Sequence, residues 1–115
     1  MEPSTVRMTL GWRVPQREAA SILSALHRLM ARTRAGRGCT GCSLSSQIGD
    51  YTEIRCVADW ESEEDLQRQI LSSDFTQLAE LLERAVEPPT IEFRLPSGMQ
   101  GLEYAERVRR RAHAS

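Results

Sequence analysis

The chain has 115 residues and a mass of 13.0 kDa, which fits one domain and leaves little room for a second. Its 40% hydrophobic and 27% charged residues are an ordinary globular balance, and a net charge of −1 supplies no field to recruit nucleic acid or anionic lipid. No stretch approaches the roughly 20 apolar residues that cross a bilayer, so no membrane segment is expected.

Met1-Glu2-Pro3-Ser4 lacks the basic-then-apolar layout of a secretory signal, and a cytoplasmic location is expected. All 15 basic residues are Arg, and there is neither Lys nor Asn. The missing Lys excludes a lysine Schiff base and a phosphate-binding P-loop. The missing Asn removes one common oxyanion donor. Three cysteines, Cys39, Cys42 and Cys56, are an odd number in a chain large enough to build its own core, which speaks against a disulfide scaffold.

Val6 to Val14 alternates, with Val6, Met8, Leu10, Trp12 and Val14 on one face, and predicts a strand buried on one side. Pro15 stops it and opens a helix from Gln16 to about Arg34, whose apolar stripe is Ala19, Ile22, Leu23, Leu26, Met30 and Thr33. Ala35-Gly36-Arg37-Gly38 ends that helix. Cys42 to Ile48 and Tyr51 to Trp60 then read as a hairpin around a two-residue primed turn at Gly49-Asp50. That register sets Ser45 against Ile54 and Ser43 against Cys56, with Cys42 and Cys56 on opposite faces.

Ser62 followed by Glu63, Glu64 and Asp65 is the signature of a capped helix start. Ser72-Ser73-Asp74 interrupts this helix, and Phe75, Leu78, Leu82 and Ala85 carry a helical period on to Val86. After Pro88-Pro89, Ile91, Phe93 and Leu95 alternate as a last strand. Leu102 to Arg111 forms a tail helix with Glu103–Arg107 and Glu106–Arg110 at supportive spacing. The order is β-α-β-β-α-β, a ferredoxin-like α+β domain with a four-stranded antiparallel sheet and a C-terminal helix. Both main helices cover one face. The other carries Arg7, Arg13, Glu53, Arg55, Glu92 and Arg94, a set that suits either solvent or a charge-complementary partner.

Few motifs carry chemistry. Cys39-Thr40-Gly41-Cys42 has the spacing of a redox pair or half a zinc site, but it leads into a strand rather than a helix and lacks a second ligand pair. His27 lies beside the apolar stripe, either at the edge of the core or as a proton acceptor facing a cleft. His113 is in the tail. The Arg-rich run from Arg107 to Arg111 reads as a solvated helix end. Trp12 and Trp60 are either core or the walls of an apolar cavity.

The runs Gly38-Cys39-Thr40-Gly41-Cys42, Val57-Ala58-Asp59-Trp60-Glu61-Ser62-Glu63-Glu64-Asp65-Leu66 and Ser72-Ser73-Asp74-Phe75 resemble the antibiotic biosynthesis monooxygenase domain. The likeness spans about residues 5–95, leaving a helical extension at about 99–111. It implies a dimeric α+β barrel, with two sheets packed through their open faces and a cleft between sheet and helices. It also implies cofactor-free, metal-free oxidation of a small aromatic or quinol substrate, whose deprotonated form gives an electron to O2. Trp60 matches the family's strand-end tryptophan. Gln69 stands near a position that often carries His, and it can orient a carbonyl but cannot take a proton at neutral pH. The iron-ligating His of haem-cleaving relatives has no counterpart between Glu61 and Leu82. The enzymatic reading takes Trp60 and Gln69 as catalytic candidates from the resemblance, adds His27 as the group to handle charge, with Arg55 as the alternative on the opposite strand parity, and takes Met8, Trp12, Ile54, Cys56, Trp60 and Phe75 as the substrate-binding wall. The alternative is a non-catalytic dimeric binding or accessory module on the same fold.

Overall fold

The computed structural model describes residues 6–85 and 87–114. The helix expected to run on to Val86 ends at Leu82; Val86 itself and the first four residues lie outside the described residues. Nine elements follow in order: β1 Val6–Pro15, α1 Gln16–Ala35, β2 Cys39–Ile48, β3 Tyr51–Trp60, α2 Glu63–Ile70, α3 Ser73–Leu82, β4 Thr90–Leu95, β5 Gly98–Gln100 and α4 Leu102–Ala114. The sheet is antiparallel with strand order β2-β3-β1-β4-β5.

The strands bury the side that their alternation sets. Val6, Met8, Leu10, Trp12 and Val14 of β1 join Ile54, Cys56, Ala58 and Trp60 of β3 and Ile91, Phe93 and Leu95 of β4 in one apolar layer. Ala19, Ile22, Leu26, Leu29 and Met30 of α1, Leu66 and Ile70 of α2, and Phe75 and Leu78 of α3 close it from above. The opposite face stays polar. There Arg7 grips Asp59 with two hydrogen bonds of 2.7 and 3.1 Å, and Arg13 pairs with Glu87 at 2.6 Å and Glu53 at 3.9 Å.

The expected four-stranded sheet is corrected to five strands. Pro96-Ser97 is a two-residue loop that returns Gly98, Met99 and Gln100 against Leu95, Arg94 and Phe93. Three residues are too few for alternation to show. The hairpin register is also corrected. Ile48 pairs with Thr52, so the loop is Gly49-Asp50-Tyr51, and Ser46 faces Ile54 while Leu44 faces Cys56. Among the described residues only Gly38 and Gly98 have positive φ, so Gly49 is not in a primed turn. A one-residue slip flips every side chain, and the observed register turns Leu44, rather than Ser43 and Ser45, toward the core. With it, Cys42 moves to the same face as Cys56.

The step at Ser72 divides the second helical region into α2 and α3, each capped by a serine. Ser62 Oγ accepts from the Asp65 N–H at 3.2 Å, and Ser72 Oγ accepts from the Phe75 N–H at 3.3 Å. Asp65 also accepts from Arg68 at 2.7 Å and from the Ser62 hydroxyl at 2.9 Å. Arg68 first, then Ser62, holds the Asp65 carboxyl below its ordinary value. Because the folded value lies below the unfolded one, this contribution is present above the unfolded pKa and is lost as pH falls through the folded pKa. Asp65→Asn should therefore flatten the acid limb of a stability-versus-pH curve from chemical denaturation; an unchanged limb would show that Asp65 does not contribute.

Candidate functional site

The layer between sheet and helices holds most of the candidate residues. Trp60 ends β3 opposite Val6 and Cys39 and is 1% exposed. Met8 lies between Ala58 and Phe93, Trp12 beside Ile54, and Cys56 between Leu10 and Leu44. All of these side chains belong to one core cluster, together with Phe75. Gln69 reaches it from the side, half-buried on α2, where its amide donates to Thr33 Oγ1 at 3.3 Å while Thr33 donates to the Leu29 carbonyl at 2.9 Å.

His27 is not brought to this layer. It is exposed on α1, about 110° round the helix from the centre of the buried stripe at 100° per residue. Among the described residues, the buried polar side chains are Thr33 and Thr52, so no buried carboxylate, imidazole or guanidinium shares the layer. One polar atom there is unsatisfied: Trp12 Nε1 is buried with no hydrogen-bond partner. Leaving such a donor unpaired costs about 1–3 kcal/mol. Periodicity places the Trp12 ring inside but carries no information about its N–H.

The tail helix covers the outer end of this layer. The Tyr104 ring packs tilted against Phe93 with 5.2 Å between ring centres, and its hydroxyl donates to Glu63 at 2.8 Å and accepts from Gln67 at 3.2 Å. Burial first, with Glu63 adding, pushes its hydroxyl up to about 12. Arg109 bonds Thr76 Oγ1 at 2.8 Å and the Ile70 carbonyl at 3.3 Å, with its guanidinium 5.9 Å from the centre of the Phe75 ring. α4 thereby fastens the α2–α3 junction, and Phe75 lies beneath it.

Grooves open elsewhere, and two bear on the candidate residues' surroundings. On the polar face, Gly11 has no side chain between Arg55 and Thr90, and a groove of about 700 Å3 lies there, bordered also by Arg13, Ser45 and Gln47. The other, about 330 Å3, runs between α1 and α3 over Leu29 and Leu81 with Arg28, Arg32 and Arg84 at its rim. Near the start of β2, Cys39 donates its thiol to the Gly41 carbonyl at 3.4 Å. Cys42 donates to Met30 Sδ at 3.2 Å, and burial, then the neighbouring Cys39, raises its thiol pKa. Cys56 is pushed up to about 12 by burial and then by Cys42.

Solved structures are similar to this chain at the level of fold. A conserved protein of Methanosarcina mazei superposes with a TM-score of 0.70 at 16% identity, covering 79% of this chain and 91% of its own. A candidate antibiotic biosynthesis monooxygenase of Nitrosomonas europaea gives 0.69 at 9% identity over 88% and 92%. One from Bordetella bronchiseptica gives 0.59 at 23% identity over 78% and 94%. The fold is that of the antibiotic biosynthesis monooxygenase-like proteins. No family model and no curated protein matches the chain. No helix among the described residues is long and apolar enough to cross a membrane.

Proposed function

We propose that the protein is a cofactor-independent monooxygenase of the antibiotic biosynthesis type, acting as a homodimer on a small aromatic or quinol substrate. The observation that carries this reading is the unpartnered Trp12 N–H in an otherwise apolar layer of the fold shared with those proteins. A flat ligand bearing a carbonyl or phenolate oxygen supplies the missing acceptor, with Trp60 as a second ring surface and Gln69 as a carbonyl-orienting amide. For an anthrone, one CH2 and one O2 become one C=O and one water, so no external reductant is needed. The protein's part is to exclude water and to hold the anion that reduces O2. The homodimer is placed through the polar sheet face, where Arg55 and Arg94 have no ion-pair partner among the described residues.

The second reading, a non-catalytic binding module, is favoured by the absence of a buried carboxylate or imidazole among the described residues. One experiment separates the two. Metal-stripped protein is assayed for O2 uptake and for ligand binding on a panel of anthrones and hydroquinones, alongside Trp12→Phe, which keeps the ring and removes the N–H. A hydrogen bond to a charged oxygen is worth about 1.5–3 kcal/mol, so uptake efficiency should fall roughly 10- to 100-fold. The active species should have twice the 13.0 kDa chain mass. Binding without uptake establishes the module, and uptake indifferent to Trp12→Phe refutes the role given to that N–H.

A further inference from the structure

We propose that Cys39, Cys42 and Met30 form a binding site for a soft, thiophilic monovalent metal ion, Cu(I). The inference starts from an irregularity. On a regular strand, residues three apart point to opposite faces, which would separate the two thiols. Here Cys39 pairs with Trp60 and Gly41 with Asp59, leaving Thr40 as the extra residue of a bulge. Cys39 and Cys42 consequently share the helix-facing side of β2. They are two register steps apart, about 6.7 Å between Cα atoms at ordinary strand rise.

That spacing suits a metal better than a disulfide. Disulfides prefer Cα separations of about 5.5–6 Å and reach about 6.8 Å only at their limit. Two thiolates joined through a metal, at roughly 2.3 Å per bond, have sulfurs up to about 4.6 Å apart. α1 adds a third soft donor, Met30 Sδ, 3.2 Å from Cys42 Sγ. No group of three or more His, Cys, Asp or Glu among the described residues could hold a metal, so the four-ligand set of structural zinc is not assembled here. Two thiolates and a thioether instead match the preference of Cu(I).

Access and charge agree. β2 is an edge strand, and both cysteines are half-buried rather than sealed in. Binding releases two thiol protons and leaves a bis-thiolate Cu(I) unit of charge −1. Arg34, whose guanidinium donates to the Cys42 carbonyl at 2.8 Å, supplies the matching cation. Cys56 lies deeper, diagonal to Cys42 across the β2–β3 pair, and is not needed as a ligand.

The test uses the full, reduced chain under anaerobic conditions, titrated with Cu(I) presented as its bicinchoninate complex. One equivalent should be withdrawn from the chelator, with thiolate-to-copper absorption appearing in the near ultraviolet. Cys39→Ser and Cys42→Ser should each weaken uptake at least 100-fold and Met30→Leu about 10-fold, while Cys56→Ala retains it. A second readout needs no variant: bound Cu(I) should shield Cys39 and Cys42 of the native protein from alkylation, mapped by mass spectrometry. Failure to compete with bicinchoninate, uptake that survives Cys42→Ser, or alkylation of both thiols at an unchanged rate would each overturn the proposal. These readouts are independent of O2 uptake, so the oxygenase reading and the copper site stand or fall separately.

Discussion

Trp60→Ala should destabilise the fold by about 3–5 kcal/mol, the range for truncating a large buried aromatic, and lower the denaturant midpoint accordingly. Trp60 is 1% exposed at the end of β3, where Val6 of β1 and Cys39 of β2 flank it in the sheet. Removing the indole leaves a cavity between two strand ends, and a close-packed interior relaxes only partly into such a space. For a domain with an ordinary stability of about 5–15 kcal/mol, a loss of that size threatens folding itself. The consequence for function is direct. Lost oxygen uptake in Trp60→Ala would not separate a catalytic role from collapse of the site, whereas Trp60→Phe preserves most of the buried surface and tests the ring as a ligand wall. If Trp60→Ala kept the wild-type denaturant midpoint, the packing assigned to Trp60 would be wrong.

The sequence carried the sheet's buried face well because a period of two over the ten residues of β1 leaves one set of side chains to bury. α1 was equally plain, although Leu29 replaces Leu23 in the fully buried stripe; the two lie on opposite flanks of it, and only packing against α3 and β2 decides between them. The β2–β3 register was not legible. Gly49-Asp50 is a strong hairpin signal taken alone, yet turning Leu44 toward the core outweighs an ideal turn, and the loop takes in Tyr51. That one residue decided the reading of the cysteines, since the observed register sets Cys42 and Cys56 on one face. The bulge at Thr40 then adds Cys39, and Gly41 is the one residue of Cys39-Thr40-Gly41-Cys42 whose presence in a strand hints at a bulge. For the candidate site, Met8, Trp12, Ile54, Cys56, Trp60 and Phe75 could be grouped from strand parity and helix period. The exposure of His27 and the unsatisfied Trp12 N–H depend on helix rotation and ring orientation, which patterning does not specify.

Gly38→Ala is the second large effect, about 2–4 kcal/mol, and its cause is a junction rather than the core. Gly38 has φ +83°, a conformation that costs any other residue about 1–2 kcal/mol. A Cβ added there would lie 2.2 Å from Asp65 Cγ, so the carboxylate must move. That carboxylate accepts from Ser62 and Arg68 at the start of α2, and displacing it loosens a helix start worth about 1 kcal/mol. The Gly38 carbonyl also accepts from the Glu61 N–H at 2.8 Å, so strain is passed to the turn that follows Trp60. Gly41→Ala is the matched control: its Cβ would meet Asp59 Oδ2 at 3.7 Å, ordinary contact, and its φ is not positive. That variant should stay within about 0.5 kcal/mol of wild type. The two causes at Gly38 separate in a double-mutant cycle by chemical denaturation. If the clash contributes, Gly38→Ala costs less in an Asp65→Ala background, because the side chain in its way is gone. Strict additivity would assign the whole effect to backbone conformation.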